Sequence, residues 1–141
     1  MKFGELIRIA GMDGQSGDHP MGDQIEIVGI TADSRKVEEG FLFVALKGNV
    51  SDGAKFIPQA IKAGAAAILT HDAAELTDIN VPVLKFEDPR LALSKLAAAF
   101  YPVQPETMVA VTGTAGKTSV AAFIRQIWKK AGYAAASIGT T

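Results

Sequence analysis

Eight residues, Thr112-Gly113-Thr114-Ala115-Gly116-Lys117-Thr118-Ser119, constrain the fold of this chain more than any other stretch. Before them comes a short apolar run, Met108 to Val111. After them Val120, Phe123, Ile124, Ile127, Trp128 and Ala131 keep the spacing of one helix face that ends near Gly132. The order predicted is strand, glycine turn and helix, with a further strand over Ala134 to Ile138. Glycines allow a tight turn that aims successive backbone N–H groups inward, and such a nest attracts anions. The start of the helix adds unpaired N–H groups and a partial positive charge. Gly113, Thr114, Ala115, Gly116, Lys117, Thr118 and Ser119 are therefore the candidate contacts for the phosphates of ATP. Lys117 would neutralise β/γ-phosphate charge, Thr118 offers a hydroxyl to Mg²⁺, and Ser119 is a secondary contact. The general pattern G-x-x-x-x-G-K-[ST] has a glycine where this chain has Val111, so the loop is a variant. The bland alternative is a bare helix start. A strand before the turn and an amphipathic helix after it favour the phosphate site.

Upstream, Ile25 to Ile30 alternates at period two, and Phe41 to Leu46 is an apolar run bounded by Gly40 and Gly48; both predict strands. Ile57, Ala60 and Ile61 predict a short helix with Pro58 in its first turn and Gly64 at its stop. Ala65 to Leu69 and Val81 to Phe86 predict two more strands. Asp88 and Pro89 then open a helix whose apolar face is Leu93, Leu96, Ala97 and Phe100. Pro102-Val103-Gln104-Pro105 can neither continue that helix nor join a central strand, which places a boundary there. The expected organisation is α/β throughout: a small mixed α/β domain over 1–105, then the first β-loop-α-β unit of a phosphate-loop domain over 106–141. A unit of about 35 residues cannot bury both faces of a parallel sheet, so the second domain is expected to be truncated.

Function classes narrow by exclusion. The chain has no cysteine, which removes disulfides, thiolate metal sites and cysteine nucleophiles. Fourteen Lys and Arg balance fifteen Asp and Glu without a basic stripe, so nucleic acid is not expected as a partner. No apolar run approaches the roughly 20 residues of a membrane span, and the N-terminus does not read as a secretory signal. No membrane partner and a cytoplasmic location are expected.

Two motifs in one order carry a resemblance. The first is Asp33-Ser34-Arg35-Lys36-Val37, then Gly40 to Gly48, then Asp52-Gly53 and Phe56-Ile57; the second is Thr112 to Thr118, in the shortened form T-G-[TS]-x-G-K-[TS]. Together they resemble the Mur ligases of peptidoglycan synthesis, over nearly the whole chain after about residue 24. Ile138-Gly139-Thr140 resembles the UDP-N-acetylmuramoyl-tripeptide synthetases within that family. The resemblance implies an N-terminal uridine-nucleotide-binding domain and the opening of an ATPase domain. It implies substrate contacts at Ala32, Ser34, Asn49, Val50 and Ser51, with ATP and Mg²⁺ at the phosphate loop and Lys117 and Thr118 as its catalytic residues. The implied substrates are UDP-N-acetylmuramoyl-L-alanyl-D-glutamate and a diamino acid, either meso-diaminopimelate or L-lysine. The D-alanyl-D-alanine-adding ligase is the nearest rival, and a non-catalytic module that binds the UDP-linked substrate is the alternative for the chain alone. An unrelated phosphate-loop kinase or NTPase would leave residues 33–57 unexplained. Ala54 and Ala115 depart from the family's usual histidine and asparagine. The family's later acidic metal ligand, modified lysine and C-terminal domain have no counterpart, so an incomplete chain, inactive by itself, is expected.

Other residues have plain readings. Asp33 and Arg35 are as compatible with an ion pair or a turn cap as with ligand contact. His19 and His71 lack partners at metal-ligand spacing and are expected to be solvated. Phe123 and Trp128 are expected to pack, while Lys129 and Lys130 suit the last turn of a helix.

Overall fold

The computed structural model describes residues 1–12, 24–48, 52–72, 74, 76–77 and 79–139, which fold as two compact units, Met1–Val103 and Gln104–Thr141. In the first unit α1 (Phe3–Ile9) precedes β1 (Gly29–Thr31), β2 (Phe41–Val44), α2 (Ile57–Lys62), β3 (Ala67–His71), β4 (Val83–Phe86) and α3 (Pro89–Phe100). The four strands form one parallel sheet in the order β1-β2-β3-β4. Parallel strands need crossovers, and both faces of the sheet are covered as that arrangement requires.

Period-two alternation divides β2 between the faces. Leu42 and Val44 join Ala67, Leu69 and Leu84 against Leu6 and Ile7 of α1 and Ala92 and Leu96 of α3. Phe43 and Ala45 join Ile68 against Val37 and against Ile57 and Ala60 of α2. Helix α3 starts where the sequence places it because the Asp88 carboxylate accepts the Arg90 and Leu91 N–H groups at 3.0 and 3.1 Å, ahead of Pro89 in the first turn.

Three expectations are corrected. Only Gly29–Thr31 of the predicted 25–30 strand joins the sheet. The Ile27 N–H donates to the Met1 carbonyl and the Phe3 N–H to the Ile25 carbonyl, both at 2.8 Å, so the first half of that run is taken by the N-terminal residues. Helix α1 itself was not legible in the sequence. In the second unit α4 (Lys117–Lys130) forms as expected, but neither Met108–Val111 nor Ala134–Ile138 is a strand. A strand needs a neighbour to receive its N–H and C=O groups, and no ladder forms among the described residues of that unit. The apolar face of α4 is consequently uncovered: Phe123 is 61% exposed and Val120 and Ile127 are exposed too, while Trp128 is half-buried.

Thr70 on β3 is fully buried, and its Oγ1 has no hydrogen-bond partner among the described residues. Thr70→Val, nearly equal in shape, is expected to raise the unfolding free energy by about 1 kcal/mol in denaturant titrations. A loss of that size would reveal a partner for the hydroxyl.

Candidate functional site

All four strands run the same way, so their C-terminal ends share one edge of the sheet. Ala32 to Ser34 leave β1 there, Ala45 to Gly48 leave β2, His71 and Asp72 end β3, and Glu87 and Asp88 follow β4. Ligands of open parallel sheets bind beyond this edge. Ala32 is exposed, and Ser34 opens a 3₁₀ turn, Ser34–Lys36, half-buried and with no hydrogen bond to its hydroxyl among the described residues. The structure thus brings Ala32 and Ser34 to the edge that β2 also reaches. Asn49, Val50 and Ser51 lie outside the described residues.

Asp33 holds that turn. It accepts the Arg35 backbone N–H at 3.0 Å and pairs with the guanidinium through Nε at 2.9 Å and Nη2 at 2.8 Å. The Arg35 side-chain and backbone hydrogen bonds push the Asp33 carboxyl down to about 2. Asp33 and Arg35 therefore satisfy each other, and the hydroxyl of Ser34 between them takes no part in the pair.

His71 overturns its sequence reading. Its Nε2 lies 3.0 Å from Asp52 Oδ2, and only 15% of its side chain is exposed. The two residues are 19 apart in sequence and meet only because β2 and β3 are neighbours, so no local spacing could have shown the contact. Asp52 also accepts the Ala54 N–H at 2.9 Å, which gives position 54 a backbone role that alanine fulfils. His19 falls outside the described residues.

In the second unit the turn 113–116 leads into α4 as the motif requires. Gly113 and Gly116 adopt φ of 143° and 77°, conformations that favour glycine. The start of α4 differs from that of α3: Gly116 stands at the cap and no side chain accepts the first N–H groups. Those donors, with the Thr114, Thr118 and Ser119 hydroxyls, have no side-chain partner among the described residues, and all of 112–119 is exposed. The Lys117 ammonium donates to the Gly113 carbonyl and so lies across the turn. A cation held on the turn that leads into a helix start without a side-chain cap fits a bound phosphate chain. For Mg²⁺ the fit is narrower: no group of three His, Asp or Glu among the described residues could hold a metal, and Thr118 is the hydroxyl in place. Mg²⁺ on nucleotide phosphates needs few protein ligands. No helix among the described residues is long and apolar enough to cross a membrane.

A sequence profile of the Mur ligase family, described as its catalytic domain, matches residues 26–101, all within the first unit. The UDP-N-acetylmuramoyl-L-alanyl-D-glutamate--2,6-diaminopimelate ligase of Brucella melitensis is 58% identical over 118 residues, 84% of this chain and 24% of that protein. The protein of the same name from Mesorhizobium japonicum is 48% identical over 141 residues, all of this chain and 28% of its own length. Among solved structures, the MurF ligase of Thermotoga maritima in complex with ADP matches with a TM-score of 0.61 at 30% identity, covering 75% of this chain and 24% of its own. The chain thus spans about a quarter of the length of the curated relatives it matches.

Proposed function

The chain belongs to the Mur ligase family, and we propose that the full-length protein is the ATP-dependent ligase that joins meso-diaminopimelate to UDP-N-acetylmuramoyl-L-alanyl-D-glutamate in the cytoplasm. One observation carries this reading: the identity to the Mesorhizobium japonicum ligase runs across all 141 residues, so the sheet edge and the phosphate loop fall in a single aligned stretch. The relatives' shared name favours diaminopimelate over L-lysine and over the D-alanyl-D-alanine-adding rival.

The two units divide the work. The first unit holds the UDP-linked substrate, with Ala32 and Ser34 at the sheet edge and, from the resemblance, Asn49, Val50 and Ser51 as contacts; the Ser34 hydroxyl, without a hydrogen bond among the described residues, can donate to or accept from the nucleotide. The second unit opens the ATP-binding domain. ATP supplies the phosphoryl group that activates the D-glutamate γ-carboxylate as an acyl phosphate, which the diamino acid's amine then attacks with release of phosphate. Lys117 and the N–H groups of 113–119 would stabilise charge on the transferring group, and the Thr118 hydroxyl would be a ligand for Mg²⁺. Residues 1–141 alone are expected to bind the UDP-linked substrate without ligating it.

The test is amide formation by the full-length protein. With MgATP, the UDP-linked dipeptide and meso-diaminopimelate, it should yield one UDP-linked tripeptide per ADP, with L-lysine much the poorer acceptor. ADP release that depends on D-alanyl-D-alanine would favour the rival, and hydrolysis indifferent to any UDP-linked substrate would favour an unrelated NTPase.

A further inference from the structure

Arg90 is the second residue of α3, yet its guanidinium reaches back to the chain leaving β2: Nη2 donates to the Lys47 carbonyl at 3.4 Å, across 43 residues of sequence. Two cationic side chains, Lys47 and Arg90, thus line one cleft of about 360 Å³ at the C-terminal edge of the sheet, together with His71, Asp72, Glu87 and Asp88. Like charges side by side repel unless an anion lies between them.

Three carboxylates line the cleft, but neither cation forms an ion pair among the described residues. Asp88 is committed to α3, whose Arg90 and Leu91 N–H groups it accepts on Oδ1, and His71 is turned to Asp52. The Asp52 carboxyl is held below its ordinary range by the Ala54 N–H first and by Lys47 least, so the ammonium acts on it from a distance. With α3 already capped, the charge available to an anion is that of the two side chains and not of the helix start. Asp72 and Glu87 make no hydrogen bond among the described residues and offer acceptors to hydroxyl donors. Paired cations beside such acceptors suit a diphosphate flanked by sugar hydroxyls better than a bare phosphate.

The cleft adjoins the edge that carries Ala32 and Ser34: Lys47 follows β2, and β2 pairs with β1, which leads into those two residues. We propose that Lys47 and Arg90 bind the diphosphate of the UDP-linked substrate and so set affinity for that substrate without affecting ATP. This rests on the reading that the first unit holds the UDP-linked substrate. An Arg90 that only braced the chain after β2 would instead act on both substrates together, through the fraction of protein folded. On that view Lys47, whose exposed ammonium makes no hydrogen bond or ion pair among the described residues, would contribute nothing.

Steady-state kinetics of the full-length protein separate these roles. Arg90→Ala should raise the KM for the UDP-linked substrate roughly tenfold, as expected for loss of a charge-assisted hydrogen bond, and leave the KM for ATP within about twofold. Arg90→Lys, which keeps the charge, should recover part of the loss, whereas Arg90→Gln, which keeps only an N–H donor, should not. Lys47→Ala should raise the same KM roughly fivefold, and it decides the matter should Arg90→Ala fail to fold. A silent Lys47→Ala, or equal rises in both KM values, would overturn the proposal. Wild-type protein that shows no saturation by the UDP-linked substrate would instead overturn the underlying reading.

Discussion

Lys117→Ala should lower turnover of the full-length protein roughly a hundred- to a thousandfold while leaving its affinity for the UDP-linked substrate unchanged. The size follows from what the residue has to do. Phosphoryl transfer asks little covalent chemistry of the protein, so a preorganised cation at the transferring group accounts for a large share of the rate. Lys117 is preorganised by its own backbone, because its ammonium already lies across the turn on the Gly113 carbonyl, and no side chain among the described residues caps the first N–H groups of α4. An incoming phosphate oxygen replaces a neutral carbonyl with an anion at a position the ammonium already occupies. Lys117→Arg keeps the charge but needs more room, and it should recover only part of the rate. Turnover of Lys117→Ala within about threefold of wild type would refute the assignment of this loop to ATP.

Phe43→Ala is the change expected to cost the most stability, about 3–5 kcal/mol in urea titrations, against a total of roughly 5–15 kcal/mol for a domain of this kind. Phe43 is 1% exposed at the centre of the face that β2 and β3 present to α2, among Val37, Ala45, Ile57, Ala60 and Ile68. Parallel neighbours on both sides of β2 hold the backbone in place, so the cavity has little means of collapsing. Phe123→Ala removes the same ring from the exposed face of α4 and, in residues 1–141, should change stability by less than about 0.5 kcal/mol. Equal effects from the two substitutions would mean that the core is not arranged as described.

That contrast also marks what the sequence could convey. Buried strands with both faces covered read as apolar runs, and Phe41–Val44, Ala67–His71 and Val83–Phe86 appear within a few residues of where those runs lie. Helices announced by local chemistry were equally legible: Asp88-Pro89 for α3, and the glycine turn with its amphipathic continuation for α4. Illegible were features decided by partners distant in the chain. Ile25–Val28 has strand-like alternation, but Met1–Phe3 compete for its hydrogen bonds, and nothing local to residue 25 shows it. Met108–Val111 has strand composition without a partner strand among the described residues of its unit. His71 looked solvated beside acidic residues, yet its partner is Asp52 on the neighbouring crossover. The glycine turn and the start of α4 were readable because they lie within eight consecutive residues, whereas the sheet edge is assembled from the ends of separate strands.

The most direct test of the account is a crystal structure of the full-length protein with MgADP. The β-phosphate is predicted to sit within roughly 3 Å of the backbone N–H groups between Gly113 and Thr118, with the Lys117 ammonium moved from the Gly113 carbonyl onto a phosphate oxygen. A nucleotide bound elsewhere, with Lys117 still on Gly113 and the start of α4 open to water, would contradict it.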